Sequence, residues 1–327
     1  MTSALLGTRR GALIAAIILL IALALPWFVY PVLAIDIVAY ALFAVAFDLL
    51  LGFTGLLSFG HALFWGGAGY VSTILIAKAN APFPLAVVAA VVYAALLALV
   101  VGAIAIRRQG IYFAMITLAL AQLQYFFAYQ LGNWTGGENG VQLTGGRGTL
   151  FGIPLENDVA FYYGVLAVAA LGTYLVVRVV RSPFGAVLHA MRENEQRAVA
   201  LGFRVDRYNL VTFVLSGTLA GIAGVLFAVG NRLSGLDGVD WHTSGQVVMM
   251  SILGGIGTIF GPILGAGIFE ALQHYLPTVH WNVFGVVLEV GDKTNVVMGT
   301  IFALCVLLFR RGIVGELLAP RAKRAKT

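Results

Sequence analysis

The sequence predicts an all-α, polytopic membrane protein of about ten transmembrane helices. Three observations carry that expectation. Hydrophobic residues make up 60% of the chain and charged residues only 10%, too few charges for a water-facing surface. Apolar segments of about 20 residues, enough to cross a bilayer as helix, recur from end to end. The 40 glycines are spread through those segments instead of being gathered in a linker, which suits closely packed transmembrane helices.

Residues 1–10 read as a short basic N-terminus, 11–309 as one transmembrane domain and 310–327 as a basic tail. The run Gly11 to Tyr30 is long for a signal peptide and has no small-residue cleavage site, so it reads as the first span, with Trp27 and Tyr30 at an interface. A second span covers Ile35 to Phe53. The stretch Gly52 to Tyr70 is so rich in glycine that an interrupted helix is expected, with a third span running through it to Ala77. Pro82 and Pro84 start a fourth, which ends at Ile106 before Arg107 and Arg108. The fifth runs from Ile111 to Leu131. The polar segment Gly132 to Asp158 then forms a loop that contains the turn Thr135 to Gly140 and one basic residue, Arg147.

The sixth span is Val159 to Val180 and the seventh Leu210 to Val229, with a polar loop, 181–209, between them. A second glycine-rich segment, Ile252 to Gly267, lies between two short apolar arms. It is either a pair of short spans or a re-entrant hairpin; if 244–276 is re-entrant, eight spans remain. The loop Pro277 to Lys293 and a last span, Val296 to Phe309, complete the domain. With ten spans each half holds five, in opposite orientation, and the two glycine-rich segments occupy matching places. That pattern is compatible with an inverted 5+5 repeat.

Arg9, Arg10, Arg107, Arg108, Arg178, Arg181, Arg192, Arg197, Arg204, Arg207 and the tail residues all fall on one side. Only Lys78, Arg147, Arg232 and Lys293 fall on the other. Both termini and the central loop are therefore expected in the cytoplasm. The +6 net charge reflects this orientation and not a nucleic-acid footprint. The single cysteine, Cys305, excludes a disulfide framework and a thiolate metal site.

The central loop carries strong local signals. Ser182 is placed to cap a helix with Pro183 at its first position. Asn194 is placed to cap a second, short helix with Glu195 in its first turn and Gly202 as its left-handed stop. Ala198 and Leu201, three apart, should share a small apolar face, while Glu193, Glu195 and Arg197 stay hydrated. A short, rigid helix in such a loop is a part for another protein to grip.

Ser182-Pro183-Phe184-Gly185, Arg192-Glu193-Asn194-Glu195, Arg197-Ala198 and Leu201-Gly202, running on into Thr212-Phe213 and Ser216 to Gly224, resemble permeases of bacterial branched-chain amino-acid ABC importers, the LivM type. Gly55 to His61, Thr135 to Gly140, Gly257-Thr258 and Gly261-Pro262 match further blocks in the same order. The resemblance implies that Glu195, Ala198 and Gly202 stand at positions of the motif that docks on the ATPase. Gln196 and Arg197 depart from the commoner paired alanines. It also implies a LivH-like second permease, two cytoplasmic ATPase subunits and a periplasmic substrate-binding protein, in the bacterial inner membrane. This chain has no Gly-x-x-x-x-Gly-Lys-Ser/Thr phosphate loop, so it holds no cofactor of its own and is not expected to be an enzyme; ATP and Mg belong to the partner ATPases.

Ser58, His61, Phe64, Gly255 and Gly257 are candidates for the translocation pathway, although for His61 a packed imidazole bonded to the backbone is the plainer expectation. Asp48 and Glu270 are ionisable groups inside apolar spans and should face protein or a cavity. Tyr125, Phe126, Phe127 and Tyr129 read as an interfacial belt. An ion-coupled secondary transporter or channel would also show interrupted helices, but would leave the ordered loop unexplained.

Overall fold

The computed structural model describes residues 9–150, 153–278, 280–283, 286–289, 294–308 and 312–318. Residues 1–8, most of the basic tail and much of the loop 277–293 lie outside them. The helices are α1 (Arg9–Phe28), α2 (Pro31–Thr54), α3 (His61–Ala79), α4 (Phe83–Ala105), α5 (Ile111–Gln130), α6 (Asp158–Arg181), α7 (Pro183–Glu193), α8 (Glu195–Ala200), α9 (Val205–Gly230), α10 (Trp241–Gly254), α11 (Phe260–Tyr275), α12 (Thr294–Leu308) and α13 (Gly312–Leu318). Among them α2, α3, α4, α5, α6 and α9 are long and apolar enough to cross a membrane. Shorter apolar stretches, Leu13–Phe28 and Val296–Cys305, lie in α1 and α12. The protein is thus an all-α polytopic membrane protein, and α10 and α11 are the pair of short helices in the second glycine-rich region.

Helices α2, α3 and α9 form the centre. Their apolar windows are 83%, 67% and 61% buried, against 28% for α4 and for α5, so the latter two lie at the periphery. Helix α9 packs on α2, α3 and α4, and α2 packs on α9, α6 and α11. The pairing is partly reciprocal: α9 lies on α4 as α2 lies on α11, and α3 lies on α4 as α10 lies on α11. Two related halves would give such matching contacts.

The sequence explains the closeness of α9 to α4. Ala86, Ala90, Ala94 and Ala98 recur every fourth residue, making one fully buried ridge on α4. Gly217 and Gly221 of α9 face it; a Cβ on Gly221 would lie 2.4 Å from the Ala94 Cβ. Without a hydrophobic drive between helices in lipid, such small-residue contacts supply much of the association energy.

One expectation is corrected. The third span is not interrupted: α3 runs unbroken from His61 to Ala79 and carries Gly66, Gly67 and Gly69 inside it. Those glycines make room for neighbours, since a Cβ on Gly66 would meet the Gly238 backbone at 2.5 Å. The interruption is Gly55 to Gly60, between α2 and α3, where Gly55 closes α2 in the left-handed region at φ 81°.

The loop 132–157 is more ordered than a simple turn. The Thr135 hydroxyl donates to Ala128 O at 2.5 Å, and Val141–Gln142 (β1) pairs antiparallel with Leu233–Ser234 (β4). Short pairs Thr149–Leu150 (β2) with Ile153–Pro154 (β3) and His280–Val283 (β5) with Val286–Glu289 (β6) complete the strands.

Arg147, read from sequence as an ordinary loop cation, is 1% exposed. It pairs with Asp158 at 2.6 Å and donates to Val229 O and Gly230 O, at 3.2 and 2.8 Å, closing the C-terminus of α9. Asp158 is partly exposed, which weakens the ion pair through solvent screening, but the two carbonyls are not. Arg147→Met should therefore destabilise the protein by about 1–3 kcal/mol. Thermal unfolding in detergent checks this, and an unchanged midpoint would count against the cap.

The segment read as a plain tail begins with α13, which packs on α10 and α11. Gly312 sits against Gly255, and Val314 is buried.

Candidate functional site

The loop between α6 and α9 forms two helices, α7 and α8. Pro183 occupies the first turn of α7 as expected. Ser182, however, makes no side-chain cap; its hydroxyl turns back and donates to Val179 O at 2.7 Å. With α6 ending immediately before it, a last-turn carbonyl of that helix, which also accepts from Ser182 N, is the nearer partner. Asn194 does cap α8, its Oδ1 accepting from Arg197 N at 2.9 Å. Gly202 lies at φ 88°. Gly202 N donates to Val199 O at 2.9 Å and Phe203 N to Ala198 O at 3.1 Å, the pair of bonds that closes a Schellman stop.

Ala198 and Leu201 do not share a face. Ala198 is 1% exposed and packed into the core, whereas Leu201 is 68% exposed. Leu201 is the C-cap residue, so it leaves the helical spiral on which an i, i+3 relation rests. The free surface of α8 is instead Gln196, Arg197, Val199, Leu201 and Gly202. Glu193 and Asn194 are also exposed. Glu195 is half-buried and accepts from Gln109 Nε2 at 2.5 Å, which ties α8 to the turn between α4 and α5. On α7, His189 stands edge-on to Phe53, and burial lowers its pKa, favouring the neutral ring.

Arg192, on the last turn of α7, is exposed and reaches the end of α2. It donates to the Gly52 carbonyl near the C-terminus of α2. It also lies against Gly257, whose added Cβ would stand 3.0 Å from Arg192 Nη1. Gly257 N in turn donates to both carboxylate oxygens of Asp48, at 2.9 and 3.2 Å. Gly255 and Gly257, at φ 121° and 75°, make the tight turn between α10 and α11 that only glycine adopts without strain. Arg192, Gly52, Asp48 and Gly257 thus join the loop, α2 and the α10–α11 turn in one node. Sequence reasoning named Asp48 and Gly257 but not Arg192 as their link; no local signal points to a partner 140 residues away.

A second cluster lies deeper. His61 Nε2 meets Ser216 Oγ at 2.8 Å, and Ser216 Oγ donates to Ala46 O at 2.5 Å. The partner of His61 is therefore a side chain and not the backbone. Ser244 Oγ accepts from Ala62 N at 2.9 Å, so the first turns of α3 and α10 meet. Ser58 accepts from Gly60 N at 3.2 Å. Ser58, His61 and Phe64 are fully buried together with Phe47 and Phe213. Gly255 and Gly257 belong to the Arg192 node instead. Trp65 packs among Tyr40, Phe43 and Phe227. Phe126, Phe127 and Tyr129 are exposed as a belt requires, while Tyr125 is partly buried. Glu270 is buried in α11. Among the described residues no group of three His, Cys, Asp or Glu is placed to hold a metal ion.

A family profile described as "Branched-chain amino acid transport system / permease component" matches residues 29–309, which include both clusters and the loop. The chain belongs to that family. Among the permease's relatives, the high-affinity branched-chain amino acid transport system permease protein LivM of Escherichia coli (strain K12) is 26% identical over 250 residues, 69% of this chain and 59% of the relative. The probable branched-chain amino acid transport permease protein LivM of Methanocaldococcus jannaschii is 27% identical over 185 residues, 52% of this chain and 53% of the relative. The autoinducer 2 import system permease protein LsrC of Escherichia coli (strain K12 / DH10B) is 29% identical over 159 residues, 43% and 46%. The matched part of the permease spans 59% of the length of the first of these.

Proposed function

We propose that this permease is the membrane subunit of an ABC importer in the bacterial inner membrane, with both termini in the cytoplasm. It lines the pathway for branched-chain amino acids or related small polar solutes. Its partners are a LivH-like second permease, two cytoplasmic ATPase subunits that bind ATP and Mg, and a periplasmic substrate-binding protein. The chain itself catalyses no reaction.

The observation that carries this reading is α8: a two-turn helix, capped at both ends by Asn194 and Gly202, with its outward face exposed among the described residues. Caps at both ends make so short a helix rigid. Val199 and Leu201 offer an apolar surface to a groove, and Arg197 offers a charge at its rim. Gln109–Glu195 on one side and Arg192 on the other pass any push on α8 into the spans. A carrier or channel has no use for this handle.

The test is capture of a cytoplasmic ABC-importer ATPase subunit from the same cell, with solute-stimulated ATP hydrolysis measured in vesicles. Leu201→Glu places a charge on the docking face, and Gly202→Val forces a β-branched residue into the left-handed stop. Each should release the ATPase or abolish stimulation while the permease remains inserted. Ala198→Glu, in contrast, buries a charge in the core and should impair folding. ATPase binding and stimulation unchanged in both surface variants would remove the coupling role of α8 and, with it, the importer reading.

A further inference from the structure

The segment after α9 descends into the bilayer without a helix of full length. From β4 onward it follows α3. Ser234 lies beside Gly69, Gly238 and Val239 beside Gly66, and Ser244 bonds to Ala62 N. The depth of that last contact follows from two independent helices. His61 bonds Ser216, and Ser216 bonds Ala46. Ala46 sits roughly 12 Å inside the Thr54 end of α2 and roughly 22 Å from its Pro31 end, at 1.5 Å per residue. Ser216 sits roughly 16 Å inside the Val205 end of α9 and roughly 21 Å from its Gly230 end. The hydrocarbon core is about 30 Å thick, so Asp240 to His242, within about a turn of this level, lie well inside it.

At this depth and just outside it the chain exposes polar groups. Asp237, between Leu236 and Val239 and nearer the loop residue Val141, is exposed. Trp241 is 42% exposed, and the His242 side chain is 70% exposed. Asp240 caps α10 by accepting from His242 N at 2.7 Å, and its Oδ1 stands 2.5 Å from His242 Nδ1. The indole and imidazole lie 4.1 Å apart between centroids. Just behind, Tyr70 packs with Leu236 and Val239, and its buried hydroxyl has no hydrogen-bond partner among the described residues. Asp240, 23% exposed, cannot face lipid tails at this depth; such groups face protein or a water-filled pathway.

We infer that Asp237, Asp240, Trp241 and His242 form a solute-contact site in the translocation pathway, and that it takes the ammonium group of a small zwitterionic solute. The inference rests on the importer reading. Two carboxylates and an indole face suit a compact cation through ion pairing and cation–π attraction. A neutral sugar-like solute could donate hydroxyls to the carboxylates and stack on the indole, but it would leave their negative charge uncompensated.

The test uses the whole transporter in membrane vesicles. In a Cys305→Ala background, the thiol of His242→Cys should react with a small membrane-impermeant thiol reagent, and leucine should slow that reaction. Asp240→Asn keeps an oxygen to cap α10. Together with Asp237→Asn it should raise KM for leucine uptake about tenfold or more, the effect of a lost charge-assisted contact, with ATPase binding unchanged. A thiol that does not react means that the segment is covered by protein or lipid, and overturns the site. Reaction without leucine protection, or an unchanged KM in both Asp variants, overturns the ammonium assignment. Failure of the importer reading would show separately, as absence of ATPase capture by the unsubstituted permease.

Discussion

Gly254→Leu should prevent stable assembly of the membrane domain. A Cβ on Gly254 would lie 1.9 Å from Gly261 O, 2.3 Å from Gly261 C and 3.0 Å from Pro262 N. All three are backbone atoms, so no side chain can swing away. The only relief is to spread α10 from α11, and α11 is packed on the central helix α2. Spreading would also pull Gly257 from Asp48 and leave a buried carboxylate without the N–H that its two oxygens share. The cost should reach about 3 kcal/mol or more, the upper range for overpacking. The expected outcome is little monodisperse protein after detergent extraction and a lowered unfolding temperature. Gly267→Leu is the matched control, because the nearest atom to its added Cβ is Ile37 Cγ2 at 3.9 Å. If the two variants behave alike, the close approach of α10 and α11 is not what these glycines provide.

Arg192→Ala should separate ATP hydrolysis from uptake. The outward face of α8 is untouched by this change, so ATPase capture should be retained. What is lost is the contact from the loop to Gly52 O on α2 and the charge beside Asp48 and the Gly257 turn. A hydrogen bond from a charged donor contributes about 1.5–3 kcal/mol, so uptake should fall about tenfold or more. Arg192→Lys keeps the charge but reduces a fork of donors to a point and should recover only part of the rate. Parallel measurement of solute-stimulated hydrolysis and uptake decides the matter. Normal uptake in Arg192→Ala would mean that the loop drives the spans by another route.

The node and the midplane site meet in α10. Its N-terminal turn carries Asp240 to His242, and its C-terminal end leads into the Gly255–Gly257 turn beside Arg192. A displacement at α8 therefore has a continuous, rigid route to the exposed polar segment, through α7, the node and the length of α10. Rigid elements with tight contacts at both ends are what the transfer of a conformational change requires.

The six long apolar spans were readable from the sequence because bilayer thickness sets their length and lipid sets their composition. The caps of α8 were readable because Asn194 and Gly202 act on residues two to four positions away. Nothing else in the chain need be known to place such a bond. The same holds for Pro183 at the start of α7 and for glycine in the turn between α10 and α11.

Only the tertiary structure decided what those local pieces face. Ser182 chose a carbonyl of the preceding helix over the cap. Ala198 turned inward and Leu201 outward because the rest of the domain lies on one side of a helix only two turns long. Glycines 66, 67 and 69 became contact points inside a continuous helix, since backbone hydrogen bonds within lipid are better kept than broken. Arg147 found its place on the α9 carbonyls, and Arg192 on Gly52. The depth of Asp240 and His242 came from a ladder of contacts between α2, α9, α3 and α10. The physical reason is the range of the interactions. Composition, helical period and caps act over a few residues and leave a mark in their order, whereas burial and long-range pairing depend on which segments the folded chain brings together.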